Sequence, residues 1–187
     1  PINISVTNMG MGIVAIEFTG SQSATSFQVQ RVFLNSTQTE DLGVFTSGPI
    51  LLQNLIANEP YYIKVRAIND YGNSHYTEVL GVVSSSSMPK VLIVNGFDRV
   101  MGTNNTVDFI RQHGDAIHQS SYLFDSANNE AVISGKIILT DYSIVDWILG
   151  EEGTATSAFS EKEQSILKVF LKSGGRLFVS GSEIGYD

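Results

Sequence analysis

Cysteine is absent from the 187 residues. That excludes disulfides, thiolate metal sites and a cysteine nucleophile. Basic residues are few: 11 Lys and Arg stand against 19 Asp and Glu, for a formal net charge of −8, and they form no cluster. Phosphates are repelled by such a chain, so nucleic acid is not expected as a partner. Long apolar runs are missing too. Stretches such as Lys90 to Val94 and Arg176 to Val179 are far too short to span a bilayer, and no membrane insertion is expected. No signal peptide is visible, and no loop carries the spacing of a calcium motif, so neither a metal nor a cofactor is expected.

What is present is ample apolar material, 42% of the residues, enough for one large domain or two small ones. Residues 1 to about 84 read as all-β. Ile2, Ile4 and Val6 alternate with Asn3, Ser5 and Thr7, a period of two. Further strands are expected at Ile13 to Phe18, Phe27 to Phe33, Val44-Phe45, Ile50 to Leu52, Tyr61 to Ile68 and Thr77 to Val83. About seven short strands at this spacing predict a β-sandwich.

Leu55, Tyr61, Val65-Arg66-Ala67-Ile68-Asn69, Gly72 and Ser74 together resemble the signature of a fibronectin type III domain. The resemblance covers roughly residues 1–84. It implies that Tyr61 forms the tyrosine corner of that fold, its hydroxyl bonded back to the backbone ahead of its strand. Asn69 to Gly72 would be the turn between the last two strands. Phe18 stands where the family has a core tryptophan, and Phe27 where a tyrosine is common; both keep the bulk.

Residues 85–89 read as a linker. Four consecutive serines, Ser84 to Ser87, are not expected to pack, and Pro89 ends any continuing strand. From Lys90 the pattern changes. Val91 to Val94 is a continuous apolar run, the mark of a strand buried on both faces. A helix is expected over Thr103 to His113 with Gly114 just past its end, and a weak strand at Ser120 to Phe124. A short helix at Asn128 to Ser134 and a second buried strand at Ile144 to Leu149 follow. Ser160-Glu161-Lys162-Glu163 is a capping box that opens a helix ending at Ser173-Gly174-Gly175, before a strand at Arg176 to Val179. Alternating strands and helices predict a doubly wound α/β fold over residues 90–187.

Val91 to Asp98, Asp141 to Gly150, Glu151-Glu152 and Gly174 to Gly185 resemble the class I glutamine amidotransferase-like, flavodoxin-like superfamily. More closely, this half is similar to a domain that follows fibronectin type III modules in exported bacterial proteins labelled xanthan-lyase-like or N-acetylmuramoyl-L-alanine-amidase-like. That resemblance implies an extracellular, periplasmic or cell-surface setting and a cell-wall or extracellular polysaccharide as partner. It also implies that the α/β domain is truncated here, because such domains continue past the last turn with a helix and more strands. The exposed sheet edge would otherwise invite a homodimer.

The candidate chemistry gathers at Gly181-Ser182-Glu183-Ile184-Gly185, a strand breaking into a glycine-flanked turn at the carboxyl end of a sheet. The related enzymes present a cysteine nucleophile there, and this chain has Glu183. Glu183 as acid, base or nucleophile, or Ser182 beside it, are the catalytic candidates. The structural alternative is that Glu183 caps backbone amides while Gly181 and Gly185 serve a tight turn. Asn95-Gly96-Phe97-Asp98 follows the first buried strand. If that strand neighbours the last one, Asp98 and Glu183 form a carboxylate pair and Asn95, Gly96, Gly181 and Gly185 line a ligand site; otherwise Asp98 makes an Asx turn. Asp141, Asp146, Glu151 and Glu152 read as a solvated acidic face, His113 as a cation at a helix end, and Trp147 as core. The expectation is a non-catalytic spacer and interaction module acting with glycans, or else a fragment of an amidase-type hydrolase or polysaccharide lyase.

Overall fold

The computed structural model describes residues 1–97, 109–150, 158–182 and 184. Eight strands make up the first half: β1 (Ile2–Gly10), β2 (Ile13–Thr19), β3 (Ser26–Val32), β4 (Thr39–Phe45), β5 (Ile50–Leu52), β6 (Glu59–Asn69), β7 (Gly72–Asn73) and β8 (Leu80–Ser84). They form two facing sheets. One contains β1, β2 and β5; the other has the order β4-β3-β6-β7, with β8 also pairing β6. Inward residues from both, among them Ile4, Val6, Val14, Ile16, Val29, Ile63 and Val65, are buried in one core. The Tyr61 hydroxyl accepts the Ile56 N–H at 2.9 Å, the corner bond expected of that residue. Phe18 is partly buried and meets Phe27 edge to face at 4.7 Å, so two rings take the space of the missing tryptophan.

The second half contributes β9 (Val91–Asn95), α1 (Ile110–Gln119), β10 (Phe124–Asn128), α2 (Asn129–Ile133), a 3-10 turn at Leu139–Asp141, β11 (Ile144–Gly150), α3 (Glu161–Lys172) and β12 (Arg176–Gly181). The pairs β10–β9, β9–β11 and β11–β12 are all parallel. This layer does not stand apart from the sandwich. β10 pairs antiparallel with β1, Ser5 opposite Ala127 and Val6 opposite Ser126, giving one seven-stranded mixed sheet of order β12-β11-β9-β10-β1-β2-β5.

β10 makes that join possible. Its sequence, Phe-Asp-Ser-Ala-Asn, is polar, yet all five residues are buried. Each polar side chain answers a backbone group of the sandwich. Asp125 Oδ1 accepts the Asn8 N–H at 2.8 Å and Asn128 Oδ1 accepts the Ile4 N–H at 3.0 Å. The Ser126 hydroxyl accepts from Gly81 N–H at 2.7 Å and donates to Gly81 carbonyl at 2.6 Å. Buried backbone groups need partners, and here side chains supply them where the ladder ends.

Several expectations fail for related reasons. The serine tract does pack: Ser84 and Ser85 are buried, Ser85 N–H donates to Asn8 Oδ1 at 3.0 Å, and Asn58 N–H donates to the Ser84 carbonyl. Serine packs when its polar atoms are matched. The weak strand expected at Ser120 to Phe124 lies further on, at Phe124–Asn128. Gly114 does not end a helix but lies inside α1, buried; a Cβ there would sit 2.6 Å from the Phe124 ring. Glycine at that point lets α1 lie close against β10. Residues 103–108 of the expected helix fall outside the described residues.

α1 covers one face of the parallel strands and is tied to the sandwich, Arg111 donating to the Phe33 carbonyl at 2.7 Å. α2 and α3 cover the other face over a second core that includes Leu92, Val94, Val145, Leu167 and Phe170. α3 begins at the expected box: Ser160 Oγ accepts the Glu163 N–H, and the Glu163 carboxylate accepts the Ser160 N–H at 2.7 Å. Trp147 is fully buried, as expected.

Candidate functional site

On the α1 face, parallel register sets Ile93, Asp146 and Phe178 side by side on β9, β11 and β12. α1 lies over β9 and β10 and stops short of β12, whose Phe178 is 58% exposed. The uncovered strip is a cleft of ≈ 580 Å³, its walls including Val91, Gln112, Ile117, Tyr122, Ile144 and Phe178. The lining is largely apolar, with Tyr122 and Phe178 as exposed rims.

His113 and Asp146 stand in this cleft. His113 sits in the first turn of α1, and its Nδ1 is 2.7 Å from Asp146 Oδ2. A carboxylate oxygen accepts, so the proton rests on Nδ1, leaving Nε2 as the ring nitrogen able to give or take a proton. Asp146 is 6% exposed, and its Oδ1 has no hydrogen-bond partner among the described residues. The buried Asp146 carboxylate is thus the acidic point in an otherwise largely apolar cleft wall. Sequence reading placed Asp146 on a solvated acidic face and His113 at a helix end. The structure corrects both: Asp146 is buried within a strand, and the helix begins rather than ends near His113. The available signal was an Asp inside an otherwise apolar strand, Ile-Val-Asp-Trp-Ile-Leu. Such a residue faces either solvent or a partner.

The residues singled out from the sequence are not brought together in this way. Asn95 ends β9, is buried, and its Oδ1 lacks a partner among the described residues. Gly96 N–H donates to the Ile148 carbonyl at 2.8 Å, and a Cβ there would fall 2.3 Å from Trp147 Nε1, so Gly96 serves packing. Gly181 ends β12 opposite Gly150. Ser182 is exposed, and its N–H donates to the Gly150 carbonyl at 2.7 Å. β9 and β12 are not neighbours, because β11 lies between them. Two strand spacings, about 10 Å, separate the Asn95-Gly96 end from the Gly181-Ser182 end. Ser182 is also four residues along from Phe178, about 13 Å from the level of the His113–Asp146 pair. Asp98, Glu183 and Gly185 lie outside the described residues, as do Glu151 and Glu152. Among the described residues, no three or more His, Asp or Glu side chains are grouped to hold a metal ion. No helix among them is long and apolar enough to cross a membrane.

A second polar centre lies at the sheet junction. Asp125 Oδ2 accepts the Tyr142 hydroxyl at 2.8 Å, alongside the Asn8 N–H on Oδ1. Burial raises the Asp125 pKa to about 7, although both hydrogen bonds pull the other way. The Tyr142 phenol is pushed up by its own burial and by the neighbouring Asp125 charge.

No family model and no curated protein matches the chain. Solved structures similar to it align with about half of its length. FN3tt is 15% identical and covers 46% of this chain and 94% of its own, with a TM-score of 0.42. The sixth fibronectin type III domain of human fibronectin type III domain containing protein 3 is 15% identical, covering 45% and 82%, with a TM-score of 0.37. Titin kinase with its flanking domains is 17% identical, covering 51% and 22%, with a TM-score of 0.40. The two-sheet strand order and the Tyr61 corner decide the matter. The first half of the chain has a fibronectin type III-like fold. Such a fold carries many functions, so the sandwich by itself indicates none.

Proposed function

We propose that the chain is a non-catalytic spacer and interaction module of an exported bacterial protein that acts on cell-wall or extracellular glycans. The cleft beside α1 carries this reading. A sugar ring has an apolar face and a rim of hydroxyls. Phe178 and Tyr122 offer aromatic surface to the first, and Gln112 and His113 in the same wall offer polar groups to the second. The glycan setting is also what the resemblance of residues 90–187 to amidotransferase-like domains implies. Support for that resemblance comes from the strand order β10-β9-β11-β12, which, numbered within this half, is 2-1-3-4, the opening of the flavodoxin-like order.

The test is retention of the purified chain on insoluble cell-wall and extracellular polysaccharides, with soluble fragments as competitors. Tyr122→Ala and Asp146→Asn, checked for folding by circular dichroism, are expected to weaken binding tenfold or more. Failure of the parent chain to bind any of these glycans sinks the reading.

The second reading is a fragment of a hydrolase or polysaccharide lyase. The observation that favours it is the oriented His113–Asp146 pair, an imidazole with one nitrogen fixed and the other available. It predicts activity in a longer protein that is lost with His113→Ala. Loss with Glu183→Gln instead would place the chemistry at the turn after β12.

A further inference from the structure

The join between the sandwich and the parallel layer rests on a short ladder. Ser5 faces Ala127 and Val6 faces Ser126 across β1 and β10. Side chains extend the ladder at both ends: Asn128 takes the Ile4 N–H, and Asp125 takes the Asn8 N–H. Asn8 also anchors the segment that connects the two halves. Its side-chain amide donates to the Ser87 carbonyl at 2.9 Å, and its Oδ1 accepts the Ser85 N–H at 3.0 Å. One carboxyl group therefore holds the residue on which sheet and connection both converge.

That carboxyl faces no cation among the described residues. Asp125 is 2% exposed. Alternation along β10 turns it, with Ala127, towards the face that α2 covers. β1, β8 and β9, which pack around β10, carry no titratable side chain. α2 brings Glu130 alone, and the turn ahead of β11 brings Asp141 and Tyr142. Lys90, just ahead of β9, is exposed. The titratable groups of α1 lie on the opposite face with partners of their own: Arg111 on the Phe33 carbonyl, His113 on Asp146, His118 on the Asn58 carbonyl and Asp115 on Gln119. Burial outweighs the two hydrogen bonds to Asp125 and lifts its pKa to about 7. The Tyr142 hydroxyl can donate to a carboxylate or turn and accept from a protonated one, so the bonding pattern suits both states. What the site resists is the charge.

We propose that Asp125, Asn8 and Tyr142 form a proton-operated latch on the β1–β10 join. With the carboxyl neutral the join is closed. Loss of its proton to water leaves a charge that is better solvated when Asp125 and Asn8 part, so the seam opens locally while the β3–β6 pair of the sandwich stays intact. The contacts on the α1 face, Ser126 to Gly81 and Arg111 to the Phe33 carbonyl, do not involve this group and keep the halves attached. Ionisation of a buried carboxyl weakens a whole fold; a latch yields first where the carboxyl sits. The inference is independent of the glycan reading, since it concerns the join and not the cleft.

Amide hydrogen exchange followed by NMR at pH 4.5 and 7.5, corrected for the intrinsic rate at each pH, reads the seam directly. Protection of the Asn8 amide is expected to fall tenfold or more between the two pH values. At pH 7.5 it is expected to be at least tenfold lower than that of amides in the β3–β6 pair. It is also expected to be indifferent to low urea, the mark of local opening, whereas the β3–β6 amides follow urea as global unfolding does. In Asp125→Asn the Asn8 protection is expected to be alike at both pH values. Three results would each overturn the proposal: Asn8 protection in the parent that does not change with pH, one shared protection and urea dependence for Asn8 and the β3–β6 amides, or a fall of the same size in Asp125→Asn. The first two need only the parent chain, so a poorly folding variant does not rescue it.

Discussion

Asp125 should make this protein less stable as pH rises, against the usual behaviour of a hydrogen-bonded carboxylate. The group titrates near 3.8 when free and at about 7 in the folded chain. The folded state therefore holds a proton that the unfolded state has lost between about pH 4 and pH 7. Stability falls wherever the native state binds more protons, so the contribution is full below pH 4, declines up to about pH 7 and is flat above. A displacement of about three pH units corresponds to about 4 kcal/mol at most, at 1.36 kcal/mol per unit. Asp125→Asn keeps an oxygen for the Asn8 N–H and offers an amide N–H to the Tyr142 oxygen, so both contacts survive without a charge. Urea denaturation of parent and variant at pH 4.5, 6 and 8 isolates the effect, because all other titrating groups are common to both. The variant is expected to gain relative to the parent by about 2–4 kcal/mol between pH 4.5 and pH 8. A difference that stays constant over that interval would refute the argument, since Asp125 would then titrate alike in both states.

Two further substitutions probe the packing. Gly114→Ala improves helix propensity but drives a methyl into the Phe124 ring, and the net loss is expected to be about 1–3 kcal/mol in chemical denaturation; a gain would show that α1 can withdraw freely from β10. Tyr61→Phe deletes the corner bond to the Ile56 N–H and is expected to cost about 1 kcal/mol, read as a lower thermal midpoint; an unchanged midpoint would make the corner ornamental in this chain.

Much of the architecture was legible. Strands with clean alternation, such as β1 to β3 and β6, lie where their period of two predicts. β9 and β11 are apolar runs buried on both faces, and α3 starts at its capping box. What the pattern could not convey is long-range matching. The Phe124–Asn128 segment lacks the apolar pattern of a strand because Asp125, Ser126 and Asn128 are polar. It is a buried strand because Asn8, Gly81 and Ile4, residues 117, 45 and 124 positions away, supply the opposite hydrogen-bonding groups. The same holds for Ser84 and Ser85. The candidate site depends on a different kind of information. Reading Asn95-Gly96 and Gly181-Ser182 as one site required β9 and β12 to be adjacent, and strand order is not written in local sequence. The His113–Asp146 pair likewise depends on α1 crossing above β11, which no spacing along the chain announces.

Joining a sandwich to a parallel layer through β1 and β10 has a mechanical consequence. Beads on a string swing about their linkers, and each presents its surface in many directions. Here the serine tract is pinned to Asn8 and Asn58, and two strands span the boundary in hydrogen-bonded contact. The cleft is therefore held at a fixed angle to the sandwich, as a blade is held by its handle. A tug along β1 loads its bonds to β2 and β10 together in shear rather than opening them one at a time, so orientation should survive pulling better than it would across a flexible hinge.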